Sequence, residues 1–176
     1  MSRIPAHTVA DAPEASRELL QKIARSSSTG RPLNAHAQMA HAPAVLAAYT
    51  SLRTAIAEHG TLDSRTGWAL NLATAGKVGN DYMIGIASRF ARANGWTDAQ
   101  IAALRSGAMT GDAGTDALAR VVREAAAHAG TVTDATWEAA RQSGWSDTRL
   151  AEAFAHLGLT VFTGYFLNYA QTETDV

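Results

Sequence analysis

Apolar residues recur at three- and four-residue steps along most of this chain, which is the spacing of one face of an α-helix. The pattern is clear from Ala12 to Ser26 and in AVLAAYTSLRTAIAEHG, where Pro43 suits a first helical turn and Gly60 a helix end. No run alternates β-branched with polar residues, as strands would. The sequence therefore predicts an all-α fold.

Turn-forming and capping residues divide this pattern into helices joined by short loops. The SSSTGRP segment ends the first helix. Asp63 or Ser64 is placed to cap a later helix, and Asp81 to cap the one after it, which closes at Gly95. We expect a series of helical hairpins.

The sequence also contains an internal repeat with an offset of 49 residues. ARANGWTDAQIAAL (91–104) and ARQSGWSDTRLAEA (140–153) both predict a helix, a glycine stop, a tryptophan, a cap and a second helix. Two copies indicate a pseudo-repeated helix pair within a bundle, not an open solenoid. Between them, SGAMTGDAGTD is predicted to be the main flexible loop, with a lid as the alternative.

Composition limits the chemistry more than any motif does. The 176 residues suit a single domain, 1–176, in which residues 1–30 form an N-terminal helical extension. There is no cysteine, which excludes disulfides, thiolate nucleophiles, Cys-ligated zinc and iron–sulfur clusters. We expect no bound cofactor and no metal.

Charge and hydropathy argue against two classes of partner. The formal net charge is −1, so the chain lacks the basic field that nucleic acids or anionic membranes attract. The N-terminus lacks an apolar core of signal-peptide length, and no uninterrupted apolar run approaches the roughly 20 residues that span a bilayer. We expect a cytoplasmic protein with no nucleic-acid or membrane partner.

The histidines offer weak candidates for a site. His36 and His41 are five residues apart, a poor spacing for two metal ligands on one helical face, and His41 suits a helix end. His128 is predicted to lie at the surface or in ordinary packing. His156 lies in an apolar helix that would bury it, so its ring nitrogens would need partners.

Three stretches together resemble the carboxymuconolactone decarboxylase and alkylhydroperoxidase-like superfamily, especially its peroxidase-related branch. The stretches, which span nearly the whole chain, are LNAHAQMAHAPAVLAAYTSLRTAI, LDSRTGWALNLATAGKVGNDYMIGIASRFARANGWTDAQIAALRSG and VFTGYFLNYAQTETDV. The most specific parts are the helix start at Leu62 to Thr66, the pair Asp81 and Tyr82, and the helix entry at Gly95 to Asp98. The resemblance implies an alkylhydroperoxidase-like helical bundle that assembles into trimers or hexamers.

Many members of that superfamily reduce hydroperoxides with a Cys-x-x-Cys pair assisted by a Glu and a His. The family pattern would place the Glu at position 68, the cysteines at 80 and 83, and the His at 87. This chain has Trp68, Asn80, Met83 and Ala87 instead. A thiol peroxidase needs a thiolate and a resolving thiol, so the chain has no thiol peroxidase activity of its own.

The same positions mark the candidate site. Asp81 suits a helix cap better than a general base, and Tyr82 is expected to pack with its hydroxyl hydrogen-bonded. A small ligand bound here would be oriented by the Asn80 amide. The predicted pocket consists of Trp68, Asn80, Asp81, Tyr82, Met83 and Ala87.

Two functional hypotheses remain from the sequence. The first is a small-molecule-binding or oligomeric subunit protein, either a homo-oligomer or a partner of a cysteine-bearing paralogue, with Phe162, Tyr165, Phe166 and Tyr169 at the interface. The second is a cysteine-independent decarboxylase, hydratase or isomerase acting on a small organic acid or carbonyl compound. A cavity beside Asn80 that contains a His or a carboxylate would favour the enzyme. A site filled by Trp68 would favour the subunit.

Overall fold

The computed structural model describes residues 2–27 and 29–175, and the regular structure in these residues is entirely helical, which confirms the predicted all-α fold. In chain order the nine helices of this part of the chain are α1 (Glu14–Ser26), α2 (Asn34–Met39), α3 (Pro43–His59), α4 (Ser64–Val78), α5 (Asp81–Ala93), α6 (Asp98–Ser106), α7 (Ala113–Ala127), α8 (Asp134–Gln142) and α9 (Asp147–Ala170).

Helix α4 is the centre of the bundle, because α5, α6, α7 and α9 all pack against it. Its residues 69–75 are buried without interruption, as expected for a helix that is surrounded by others. Small residues let two neighbours approach closely. A Cβ at Gly76 would lie 2.2 Å from the carbonyl oxygen of Arg105 on α6, and one at Gly67 would lie 2.7 Å from the His156 ring on α9.

The N-terminal helices form a second, smaller apolar cluster. Leu20 of α1, Met39 of α2 and Leu46 of α3 are fully buried in it. Phe162 and Phe166 of α9 pack against this cluster, whereas Tyr165 and Tyr169 on the same helix are exposed. The four aromatic residues predicted at an interface are therefore divided between the core and the surface.

The internal repeat is longer than the sequence comparison predicted. The carboxylates of Asp63 and Asp112 cap α4 and α7 at the same 49-residue offset. The indole nitrogen of Trp96 donates to the carbonyl of Arg65 at 2.9 Å, and that of Trp145 donates to the carbonyl of Gly114 at 2.7 Å. Helices α4–α6 and α7–α9 therefore form two related halves, each fastened by a tryptophan.

The loop predicted to be flexible is short and tied down. Helix α6 ends at Ser106 and α7 begins at Ala113, so only 107–112 is loop. The backbone and hydroxyl of Thr110 donate to the buried carboxylate of Asp116 at 2.9 and 2.7 Å, and the Gly111 N–H donates at 3.2 Å. The predicted loop is confirmed over 107–112, and Asp116, inside α7, satisfies its polar groups. Its flexibility stays a prediction.

Helix α9 is long and apolar enough, by length and composition, to cross a bilayer, although the sequence pattern predicted no span. About half of its most apolar window, 44 %, is buried against the other helices. Its neighbours are α3, α4, α5 and α7, so it serves as a core helix here.

Candidate functional site

Asn80, at the position where the resemblance would place the first cysteine, has a structural role. Asn80 is 5 % exposed, and its side-chain oxygen accepts from the Met83 N–H at 2.8 Å as the N-cap of α5. Its amide nitrogen donates to the Asn168 side-chain oxygen at 2.6 Å. Asp81, predicted as the cap, is instead the exposed first residue of the helix. Asn80 takes that role because its amide can cap α5 and also bond α9.

Positions 83 and 87, where the resemblance would place the second cysteine and the histidine, are also buried. Met83 is 7 % exposed and Ala87 is fully buried. Gly164 of α9 lies directly over this end of α5, since a Cβ there would be 3.2 Å from Val78 Cγ1 and 3.6 Å from the Asn80 Cβ. The backbone of α9 therefore packs closely against the N-terminal end of α5.

Trp68 fills the other end of the same helix face. Its ring stacks on Phe90 with centroids 4.4 Å apart and an interplanar angle of 10°. Phe90 lies ten residues after Asn80, or about 15 Å along a helix axis. The aromatic pair therefore covers the far end of α5, and the Asn80 end is closed by α9.

Tyr82 is buried and tied to the C-terminal segment. Its hydroxyl donates to Asp175 Oδ1 at 2.5 Å and accepts from the Ala35 N–H at 3.3 Å. Burial, then the hydrogen bond to Asp175, raises the pKa of the Tyr82 phenol above its ordinary value. The phenol is therefore a hydrogen-bond donor and not a base at neutral pH.

His36 lies close to this pair, on α2. Its Nε2 is 3.1 Å from the Tyr49 hydroxyl, whereas its buried Nδ1 has no hydrogen-bond partner among the described residues. Burial, reinforced by the positive charge of Arg53, lowers the pKa of His36 to about 4, and Asp175 acts weakly in the opposite direction. The ring is therefore neutral at neutral pH.

A second buried histidine lies at the α4–α9 interface. His156 Nδ1 is 3.2 Å from the Asn71 side-chain oxygen, which also accepts from the Thr160 hydroxyl at 3.3 Å. Burial lowers the pKa of His156, against a smaller opposite effect of Glu152 one turn earlier. The predicted need for ring partners is confirmed. The sequence analysis did not identify its partners Asn71 and Thr160. His156 and Thr160 are four residues apart in an apolar helix, and this spacing could have indicated that the two side chains lie on one face.

The remaining histidines have separate environments. His41 is exposed, and its Nδ1 is 2.9 Å from Nε2 of His7. His128 is the exposed C-terminal cap of α7. Within residues 2–27 and 29–175, no three His, Cys, Asp or Glu side chains are grouped so that they could hold a metal ion.

Two surface clefts lie away from these positions. One, of about 240 Å³, lies between α4, α6 and α7 and includes Lys77, Arg120 and Arg123. The other, of about 150 Å³, is apolar and includes Trp137 and Phe154. The predicted pocket residues line neither cleft, and whether they bind a ligand stays a prediction.

Comparison with known proteins agrees with this fold. The sequence profile of the Carboxymuconolactone decarboxylase family matches residues 43–127. No curated protein sequence matches the chain.

Solved structures extend the likeness to the whole chain. An alkylhydroperoxidase AhpD core from Ralstonia eutropha JMP134, an uncharacterized peroxidase-related protein, is similar with a TM-score of 0.83 at 16% identity, covering 99% of this chain and 92% of that one. A peroxidase-related protein from Silicibacter sp. TM1040 has a TM-score of 0.77 at 13% identity, covering 100% and 96%. A cysteine-to-alanine variant of the debrominase Bmp8 in complex with 2,3,4-tribromopyrrole has a TM-score of 0.81 at 12% identity, covering 100% and 93%. At these identities the structures establish the fold alone, and the predicted helical bundle is confirmed.

Proposed function

We propose that this protein is an oligomeric subunit without thiol peroxidase activity, because residues 43–127 match the Carboxymuconolactone decarboxylase family and the chain has no cysteine. The observation that carries this proposal is the structural use of Asn80. Its side chain caps α5 and bonds Asn168, where a peroxidase would hold a reactive thiol.

The packing around Asn80 supports the same proposal. A peroxidatic group must meet its substrate, yet Asn80, Met83 and Ala87 are all buried. Oxidation of Met83 to a sulfoxide would be stoichiometric without a partner reductase. The protein thus has the helical fold of the family, and Asn80, at the position of the reactive thiol, joins α5 to α9.

The exposed face of α9 supports oligomerisation. Phe154, Tyr165 and Tyr169 are 65, 59 and 71 % exposed on one helix. Clustered exposed aromatic residues are typical of protein interfaces. We propose that this chain assembles as a trimer or a hexamer. A complex with a cysteine-bearing paralogue is the alternative.

Native mass spectrometry combined with a peroxide assay tests the proposal. We expect a mass that is a multiple of the chain, and no consumption of hydrogen peroxide or tert-butyl hydroperoxide above that of buffer with dithiothreitol as reductant. Catalytic turnover of either peroxide would sink the claim of lost activity. A monomeric mass at micromolar concentration would sink the oligomer.

A matched variant tests whether the site is closed. Replacing Asn80 and Met83 by cysteine restores the thiol pair at positions that are 5 and 7 % exposed. We expect these thiols to react with Ellman's reagent far more slowly in the folded protein than after denaturation. Equal rates would mean that the site is open.

A cysteine-independent enzyme is a second candidate, favoured by the buried, neutral His156 beside Asn71. A neutral imidazole can act as a general base. The complex of debrominase Bmp8 with 2,3,4-tribromopyrrole supports small-molecule binding on this framework. Incubation with a mixture of small organic acids and carbonyl compounds, followed by NMR, should then show conversion that His156→Gln abolishes. No conversion by the wild-type protein would remove this candidate.

A further inference from the structure

The larger of the two surface clefts, of about 240 Å³, brings three positively charged side chains together outside the candidate site. Lys77 lines it from the last turn of α4, and Arg120 and Arg123 line it from one face of α7. None of the three forms an ion pair with a carboxylate of the described residues. We call this cleft the cationic cleft.

Two carboxylates also line the cationic cleft, and donors of the protein already bind both. Asp116 accepts from the backbone and hydroxyl of Thr110 and from the Gly111 N–H. Glu124 accepts from the Thr133 N–H at 2.7 Å. Three cations against two carboxylates leave an excess of positive charge in this cleft, although the net charge of the whole chain is −1.

The guanidinium of Arg123 is held in place by backbone carbonyls, most of them at the end of α6. Its Nη1 donates to the carbonyls of Ala73 and Arg105 at 3.0 Å and to that of Leu104 at 3.4 Å. Its Nη2 donates to the Ser106 carbonyl at 3.1 Å. A guanidinium has further N–H groups, and in Arg123 the Nε–H and one N–H of Nη2 have no acceptor among the described residues.

The Nε–H of Arg123 is accessible to solvent. Among the described residues, the buried side-chain nitrogen and oxygen atoms that lack a hydrogen-bond partner are His36 Nδ1 and Thr74 Oγ1, so Nε of Arg123 is not a buried atom. Gly107 also lines the cationic cleft, and a Cβ at this residue would lie 2.6 Å from Nε and 2.9 Å from Nη2. Because Gly107 has no side chain, this part of the guanidinium stays uncovered.

The uncharged part of the cationic cleft is apolar. It consists of Leu104, Gly107, Ala108, Met109, Ala119 and Ala127. Met109 is exposed, so its flexible thioether can pack on a ligand. An apolar wall with a few charged groups suits a small molecule that has an apolar body and one charged end.

The arrangement of charge favours a phosphate as that charged end. Neighbouring N–H groups of a guanidinium bind the oxygens of carboxylates and phosphates in pairs. A phosphate monoester carries roughly two negative charges at neutral pH and has several acceptor oxygens, whereas a carboxylate carries a single charge. Lys77 and Arg120, beside Arg123, supply the further positive charge that a phosphate needs.

We propose that the cationic cleft binds the phosphate group of a small organic phosphate, which Arg123 holds by its free N–H groups while Lys77 and Arg120 balance its charge. This inference goes beyond the proposed function and does not depend on it, because none of the residues that line the cleft belongs to α5 or α9.

Calorimetric titration with phenyl phosphate tests the cleft in the full chain, in a phosphate-free buffer of constant ionic strength. We expect saturable binding that Lys77→Gln and Arg120→Gln each weaken at least about tenfold, because each removes a charged partner of the phosphate. Both side chains are exposed, so the variants should keep the fold. Arg89→Gln is the matched control, since it removes the same charge from an exposed position on α5. We expect this control to bind as the wild type does.

The Nε–H of Arg123 gives a second readout in the wild-type protein. Its signal in a proton–nitrogen NMR spectrum is identified by its absence from Arg123→Lys. We expect this signal to shift in proportion to the occupancy measured by calorimetry, because the Nε–H gains a charged acceptor.

Several results would overturn the inference. One is a failure of the wild type to bind millimolar phenyl phosphate, and another is an unchanged affinity in both Lys77→Gln and Arg120→Gln. An equal loss of affinity in Arg89→Gln would show that only the overall charge matters. Equal affinity for benzoate would show that the cleft does not select a phosphate, and an unmoved Nε–H signal at saturation would show that Arg123 does not hold it.

Discussion

Asn80 shows how one buried side chain can stabilise two helices at once. It caps α5 and donates to Asn168. Loss of an N-cap costs about 0.5–2 kcal/mol, and the unpaired Asn168 oxygen adds to this. We expect Asn80→Ala to lower the free energy of unfolding by about 2 kcal/mol in urea denaturation.

Two further variants separate these contributions. Asn80→Ser keeps a capping oxygen, introduces no charge and loses the amide donor to Asn168, so its loss should be smaller than that of Asn80→Ala. Asp81→Asn, at the exposed neighbouring position, should change the stability by less than about 0.5 kcal/mol. Equal losses for Asn80→Ala and Asp81→Asn would contradict the role assigned to Asn80.

His36 makes the stability depend on pH. Its pKa is about 4 in the folded protein and about 6.5 in an unfolded chain, so the unfolded state binds more protons between these values. The contribution of His36 is therefore fully present above about pH 6.5 and is lost as the pH falls toward 4, up to about 3 kcal/mol in total. Urea denaturation should show a smaller difference between about pH 7 and about pH 5 for His36→Gln than for the wild type. Parallel pH profiles would disprove the assignment.

At the scale of elements, the crossing of α4 and α6 depends on Gly76. A Cβ there would lie 2.2 Å from the Arg105 carbonyl oxygen, so the helices must move apart. We expect Gly76→Ala to destabilise the protein by about 3 kcal/mol in thermal or urea denaturation. Gly114→Ala is the matched control in a helix, where the nearest atoms would be 3.8 Å and more away. Similar effects of the two substitutions would show that α4 and α6 have room to separate.

The helices were largely predictable because their signals are local. Apolar periodicity, Asp63 as a cap and the repeated glycine stops each act within a few residues. Asn80 was misassigned because its advantage over Asp81 as a cap depends on Asn168, 88 residues away. Such long-range contacts leave no periodic trace in a single sequence. The same reason hid the contact of Asp175 with Tyr82, 93 residues away.

At the scale of the whole molecule, the exposed aromatic residues of α9 carry the proposed assembly. Glutamate at positions 165 and 169 would place two charges on a surface that must lose water when subunits meet. We expect Tyr165→Glu with Tyr169→Glu to reduce the mass in light scattering to that of one chain while the helical content stays unchanged. Ala102→Glu, at an exposed position on α6, should keep the wild-type mass. An unchanged mass in the tyrosine variant would locate the interface elsewhere.

The tryptophan of each half has an optical consequence. Trp96 lies in α4–α6 with the Arg65 guanidinium 3.7 Å from its ring, and Trp145 lies in α7–α9 with Arg149 5.7 Å from its ring. Once Trp68, Trp137 and either Trp96 or Trp145 are replaced by phenylalanine, the emission of the single remaining indole reports on one half alone. Two such proteins with the same melting curve would show that the halves unfold together. Separate curves would show that each half is its own cooperative unit, as expected of a duplicated ancestor.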